Sequence, residues 1–288
     1  MTELTVTVAD GVALLTLNRP ERRNAYTMAM GEQLSRAYRQ CDVADEVRAI
    51  VLTGAGNAFC AGADFTAGTN PFDAESGARG FTASPIDPAA FELRKPVLAA
   101  VNGHAIGIGL TIALQADLRI MATDAKYAVA QVRRGVLPDC MSHWTLPHLA
   151  GAAVAADLLL TGRTFDGEEA AAMGLATRTL IAAEVLDHTM TIARDIAVNV
   201  SPMSAALTKR LLWDTMTQGY GPREVAALET ELHRRVLGTA DAREGVSAFL
   251  ERRPPRWTSS VSQDWQPVPD PRRDRPATAP GVGAGENG

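Results

Sequence analysis

Two glycine-rich turns carry the first chemical signal in this sequence. One is GAGNAFCAGAD at 54–64, after the apolar run 49–53; the other is NGHAIGIG at 102–109, after the apolar run 97–101. Asn102-Gly103 is a turn signal, and an apolar, Ala-containing helical pattern follows to Gln115. A turn that opens a helix presents backbone N–H groups with no acceptor inside the helix, and the helix dipole draws negative charge to that end. Glycines let a ligand approach the backbone closely. Two anions fit such a place: a phosphate, or an oxygen that becomes negative during a reaction. The phosphate reading fails on the pattern. GIGLTI has Ile112 where a dinucleotide fingerprint needs a third small residue, and it does not follow the first strand of the chain. Two turns at strand ends of one sheet can instead aim one N–H each at a single point. That is an oxyanion hole, which is worth most for charge formed only in the transition state.

The elements that must position these turns follow from periodicity. Residues 4–8 and 12–18 alternate around Asp10-Gly11, a hairpin signal. Thr27 can cap a helix to about residue 44, with Met28, Leu34 and Tyr38 among its apolar positions. Further strands are expected at 118–122 and 127–130. The Ala- and Leu-rich stretch 151–160 ends at Gly162, and Asp166 can cap a short helix over 167–173. A last strand is expected at 177–181, then helices at 183–199, 202–217, 222–237 and 240–250. Strand–helix alternation followed by helices alone predicts an α/β core with a helical C-terminal part. Residues 66–90 are rich in Gly, Pro, Ser and Thr, and a loop of that length in a compact domain is functional or mobile. The expected organisation is a core over 1–200, a helical region over 201–257 and a flexible tail over 258–288, where large apolar residues become few.

The totals set bounds. The chain has 288 residues, 46% hydrophobic and 21% charged, with net charge −5, so nothing in the charge balance draws it to nucleic acid or acidic lipid. Cys41, Cys60 and Cys140 are odd in number and scattered, which argues against a disulfide framework or a zinc knuckle and fits a reducing cytoplasm. The N-terminus does not read as a signal peptide, and the apolar runs are too short to span a membrane. No metal site is expected.

Four motifs in order, NRPERRNA at 18–25, NAFCAGADF at 57–65, KPVLAAVNGHAIGIGL at 95–110 and AFLERRPPRW at 248–257, resemble the crotonase (enoyl-CoA hydratase/isomerase) superfamily over residues 1 to about 257. The resemblance implies a spiral core of repeated ββα units with a helical C-terminal region that trimerises, as a homotrimer or a dimer of trimers. It implies an acyl-coenzyme A thioester as substrate and no separate cofactor. It assigns the two N–H donors to Ala63 and Ile108. The physics agrees: polarising the thioester carbonyl acidifies the adjacent carbon and stabilises an enolate, and backbone amides do this whatever their side chains. By the same resemblance Asp64 fixes a turn that meets the adenine of coenzyme A, and Arg22 and Arg23 are candidates for its phosphates, though an exposed Arg pair also reads as plain solvated surface.

The chain departs from that family where hydratases carry two glutamates. Thr111 and Gln131 stand at those positions, and neither side chain titrates near neutrality. Hydration by the two-glutamate route is therefore not expected, and Thr111 and Gln131 are read as substrate contacts. One carboxylate remains, Asp139 in GVLPD, followed by W-x-L-P. This resembles the isomerase-type branch, in which one acid shuttles a proton across a migrating double bond; in aroyl-CoA dehalogenases an aspartate there attacks the ring instead. An apolar acyl pocket would raise its pKa. Asp139 also reads as an ordinary N-cap of a helix over 140–149. His143 could orient its carboxylate or simply pack. His104 could touch substrate or fill its turn, Cys140 could be a nucleophile or a packed thiol, and Lys209 and Arg210 could serve a neighbouring subunit. The expected function is enoyl-CoA isomerisation through Asp139. The rivals are a hydratase using non-standard polar residues and a non-catalytic acyl-CoA-binding protein.

Overall fold

The computed structural model describes residues 2–65 and 82–272. The first two strands, β1 (Leu4–Ala9) and β2 (Val12–Leu17), pair antiparallel from Leu4↔Leu17 to Ala9↔Val12. Asp10 and Gly11 link them with φ of 51° and 77°, the positive pair that a tight hairpin with the natural strand twist requires. The next element is α1 (Met28–Val43), and the Thr27 hydroxyl accepts from the Met30 N–H at 3.1 Å, as a cap should. Met30, Leu34 and Tyr38 form its buried face. Met28 is exposed, because two residues of helix turn it about 200° away from Met30.

Parallel strands β3 (Ala49–Gly54), β5 (Val97–Val101), β7 (Leu118–Ala122) and β9 (Arg178–Leu180) follow in the order β1-β2-β3-β5-β7-β9. Every residue of β3 and β5 is buried, which is why they read as continuous apolar runs without alternation. A second, three-stranded parallel sheet holds β4 (Ala58–Cys60), β6 (His104–Ile106) and β8 (Tyr127–Ala128). The chain thus steps from a strand of the large sheet to one of the small sheet three times, β3 to β4, β5 to β6 and β7 to β8, and each step is one turn of a spiral. The two glycine turns do end strands of one sheet, and it is the small one: they follow β4 and β6 and not the longer apolar runs β3 and β5. Asn102, at the end of β5, ties the first two steps together, since its amide donates to Gly54 O at 2.8 Å and Gly56 O at 3.0 Å in the β3-to-β4 link.

The helices cover this spiral. The short α2 (Ile108–Ala113) is wholly buried against β4 and β6. Next comes α3 (Ser142–Thr161), broken at Gly151 with φ 79° and ψ 162°, so the two helical stretches expected there join across a kink. The Asp166 carboxylate caps α4 (Gly167–Ala172) by accepting from Glu169 N at 2.9 Å. Helix α5 (Ala182–Asn199) lies on the large sheet, and α6 (Pro202–Gln218), α7 (Pro222–Leu237) and α8 (Ala240–Glu251) form the C-terminal part. No described helix is long and apolar enough to cross a membrane.

The expectation of a loose tail after Trp257 fails for residues 258–272. Thr258 N donates to Asp241 at 2.7 Å, the Ser260 and Ser262 hydroxyls bond Asp45, and Val261, in the short α9 (Val261–Asp264), is 3% exposed. The Arg94 guanidinium lies 5.8 Å from the Trp265 ring centroid. Composition missed this because hydroxyl-to-carboxylate bonds, with few apolar side chains, hold the segment. The expectations for 66–81 and 273–288 lie outside the described residues.

Candidate active site

The site forms along one edge of the small sheet. Its strands pair in parallel, Ala58↔His104 and Cys60↔Ala105, then Ala105↔Tyr127 and Ile106↔Ala128. Their C-terminal ends therefore lie side by side. Beyond β4 the chain turns through Gly62-Ala63, beyond β6 through Gly107-Ile108, and beyond β8 into a 3-10 turn, Ala130–Arg134, that carries Gln131.

Backbone bonds fix the first two turns and leave one donor free in each. Tyr26 N donates to Gly62 O at 2.8 Å and Asp64 N to Tyr26 O at 2.9 Å, so the intervening Ala63 N–H has no acceptor. Leu110 N and Thr111 N both donate to Gly107 O, at 3.0 and 3.1 Å, and Ile108 as the first residue of α2 has no acceptor either. Buried orphan amides are rare, and a pair lining one cavity is what an anion or a polarised carbonyl needs. Glycine is required at two points. A Cβ on Gly109 would sit 2.4 Å from Cys60 O, so only glycine lets α2 start against the end of β4. Gly107 has φ +55°, a conformation that L side chains rarely adopt.

A cavity of about 50 Å³ opens here, lined by Ala63, Phe65, Ile108, Gln131, Arg134 and Asp139 among others. The two positions that lack glutamates converge on the remaining acid: Thr111 Oγ1 donates to Asp139 Oδ1 at 2.6 Å and Gln131 Nε2 to the same oxygen at 3.0 Å. Burial pushes the Asp139 carboxyl above its ordinary pKa, while the two donors oppose that shift. Burial also raises the neighbouring Tyr26 hydroxyl and the Cys140 thiol far above their ordinary values, so both are protonated.

The structure separates the other candidates. Asp139 does not cap α3: that helix starts at Ser142, its N-cap is Met141, and no side chain bonds the cap. His143 is exposed and makes no bond to Asp139; the side chains that bond its carboxylate are Thr111 and Gln131. Asp64 pairs with Arg19 at 2.8 Å, and Arg19 also donates to Ala25 O at 2.6 Å, which holds the Ala63 turn. Arg22 and Arg23 are exposed, and Arg23 O accepts from Ala61 N at 3.0 Å, so the pair lies at the surface beside that turn. His104 Nδ1 accepts from Lys126 N at 2.8 Å, which ties β6 to the approach to β8. Cys140 is fully buried. Lys209 is buried and bonded to Asp117 at 2.8 Å, and Arg210 donates to Phe91 O at 2.6 Å, so both brace α6 against its own chain. Sequence reasoning missed Phe65 and Arg134 as lining residues. It had a signal for the Thr111 contact: a fully buried hydroxyl on a short apolar helix needs a partner.

Comparison with known proteins adds to this geometry. The family model described as enoyl-CoA hydratase/isomerase matches residues 7–260. The chain is 36% identical to the 1,2-epoxyphenylacetyl-CoA isomerase of Escherichia coli, over 87% of this chain and 96% of that protein. It is 38% identical to a probable enoyl-CoA hydratase of Rhodobacter capsulatus, with the same two coverages of 87% and 96%. Among solved structures it resembles a probable enoyl-CoA hydratase/isomerase from Mycobacterium abscessus, with TM-score 0.83, 54% identity, and 90% of this chain and 99% of that one covered.

Proposed function

The chain belongs to the enoyl-CoA hydratase/isomerase family, and from that premise we propose that it is an enoyl-CoA isomerase with Asp139 as its acid/base. The observation that carries this reading is the carboxylate of Asp139, lining the same cavity as Ala63 and Ile108 with their free N–H groups, while Thr111 and Gln131 hold it in place of further acids. The thioester carbonyl of the substrate accepts from Ala63 and Ile108. From a 3-enoyl thioester, Asp139 takes a proton from C2. The electron pair forms a C1–C2 double bond as negative charge moves to the carbonyl oxygen, conjugated with C3–C4. The same carboxyl returns the proton to C4, and the double bond ends between C2 and C3. One carboxylate suffices because the proton removed is the proton returned, and a carboxyl raised by burial is suited to both halves.

A second reading is hydration, supported by relatives named hydratases and by the Gln131 Oε1 atom, a buried acceptor with no donor, which a water beside Asp139 would satisfy after a small shift of the amide. The two separate on mixing the protein with 2-enoyl- and 3-enoyl-CoA. A shift in absorbance with no mass change is the expected result, and a mass gain of one water would replace isomerisation by hydration. Asp139→Asn keeps the shape and should lower isomerisation by about 10²- to 10⁴-fold. Wild-type turnover in that variant would remove Asp139 as the base, and coenzyme A ester binding without turnover in the native protein would leave a binding protein.

A homotrimer is also part of the proposal. Exposed Leu237, Val246, Phe249 and Leu250 on the C-terminal helices, with Phe249 82% exposed, support burial between copies. Sedimentation of the native chain and of Phe249→Asp should give a trimer (or dimer of trimers) and a smaller species; a native monomer would end that part.

A further inference from the structure

We infer that Thr111 and Gln131 are positioning residues that divide the labour within the Asp139 carboxylate: they pin Oδ1, and Oδ2 is the oxygen that exchanges the proton with substrate. The inference rests on the acid/base reading of Asp139 and adds to it which atom works and what aims it. A carboxylate has two oxygens and about four lone-pair directions. Both side-chain donors meet the same oxygen, at 2.6 Å from Thr111 and 3.0 Å from Gln131, the Asp139 backbone N–H adds to them, and among the described residues no side chain donates to Oδ2. The two donors come from different segments, α2 and the 3-10 turn after β8, so they fix the carboxylate in rotation as well as in place.

The donors also belong to the elements that carry the rest of the site. Thr111 lies three residues beyond Ile108 on α2, so one rigid turn of helix holds both an oxyanion donor and the carboxylate. The Gln131 amide faces Gly107, with its carbon 3.6 Å from the position of an added Cβ. The spacing between polarised carbonyl and working oxygen is set on the Thr111 side by α2 itself, with no loop to close. Among the described residues the surroundings add no competing base. The Tyr26 hydroxyl, the Cys60 thiol of β4 and the Cys140 thiol are held protonated by burial, Cys60 being pushed up to about 11. Glu32 acts on Tyr26 rather than on Asp139, and Arg134 is the charged side chain that shares the cavity with it.

Removing a donor has two effects of known sign. Oδ1 loses one of the bonds that favour the charged form while the burial penalty stays, so the Asp139 carboxyl is raised further and the acid limb of the rate profile moves to higher pH. The carboxylate also gains rotational freedom, which lowers kcat more than it changes KM. The test is the pH dependence of kcat and KM for isomerisation of a 3-enoyl-CoA by the native protein and by Thr111→Val, Thr111→Ser, Gln131→Glu and Asp139→Asn. Thr111→Val should lose about tenfold or more in kcat with its acid limb moved up, and Thr111→Ser should restore both. Gln131→Glu keeps the shape but places a second carboxylate where a donor stood, and should move the limb up further; it also decides the matter if Thr111→Val folds poorly. Equal behaviour of the Val and Ser variants, with an unmoved limb in Gln131→Glu, would overturn the positioning role. The acid/base reading is tested separately: if Asp139→Asn is inactive while the other profiles stay put, only the present inference fails, whereas an active Asp139→Asn removes its premise.

Discussion

Two half-buried aspartates in this molecule are held by several donors each, and their surroundings are opposite in kind. Asp117, just before β7, accepts from Val97 N at 2.7 Å and Trp213 Nε1 at 2.7 Å, and pairs with the buried Lys209 ammonium at 2.8 Å. Both of its oxygens are engaged, and a full opposite charge lies beside it. Asp139 has two neutral donors on one oxygen and no cation within bonding distance among the described residues. Burial raises its pKa; beside Asp117 it is the Lys209 ammonium whose pKa its own burial lowers, with the Asp117 carboxylate opposing that shift. A buried acid whose charge is fully answered is a rivet between elements. One whose charge is half answered, and which faces a cavity, can give and take a proton.

The contrast can be broken from either side. The largest effect should come from Asp139→Asn, which costs the enzyme its rate as described above while denaturant unfolding changes little. Asp117→Asn should do the reverse: it leaves Lys209 buried without its counter-charge, at a cost of about 3–5 kcal/mol in unfolding free energy, while kcat per folded molecule is kept. Denaturant curves and active-site titration check both halves, and a loss of kcat in folded Asp117→Asn would show that the two aspartates are not independent. The smallest effect is a pH dependence of stability. Between the ordinary aspartate value and the raised value of Asp139, the folded protein holds a proton that the unfolded chain releases. Its contribution to stability therefore falls as pH rises through that window, and Asp139→Asn should lack this decline. Unfolding free energies of the two proteins from pH 4 to pH 8 should diverge in favour of the variant; parallel curves would mean that Asp139 titrates normally.

Much of the frame was legible in the residues because it is encoded locally. The hairpin at Asp10-Gly11, the caps at Thr27 and Asp166, and the helix end at Gly162 each depend on a few consecutive residues, and these residues carry the needed dihedrals and side-chain oxygens. The apolar runs of β3 and β5 announced strands buried on both faces. The small strands β4, β6 and β8, of three, three and two residues, were too short to stand out as a sheet of their own. The docking of residues 258–272 was hidden as well, because serine and threonine hydroxyls look like linker until an acceptor such as Asp45 or Asp241 is known to face them.

The sequence by itself determined the family, the two glycine turns with their free N–H groups, and the fact that a hydratase's pair of acids is missing. Those are statements about residue type at a local position, and type needs no fold to be read. What only the tertiary structure decided is that Thr111, Gln131 and Asp139 meet. The first and last are 28 residues apart, on a buried helix and on the approach to another, and their meeting depends on parallel strands aligning three chain segments along one edge. No local pattern encodes that alignment, so Asp139 read equally as a cap or a catalyst from its neighbours. The long-range contacts exclude the cap and leave its carboxylate in the cavity, with one oxygen bound and the other free of side-chain donors.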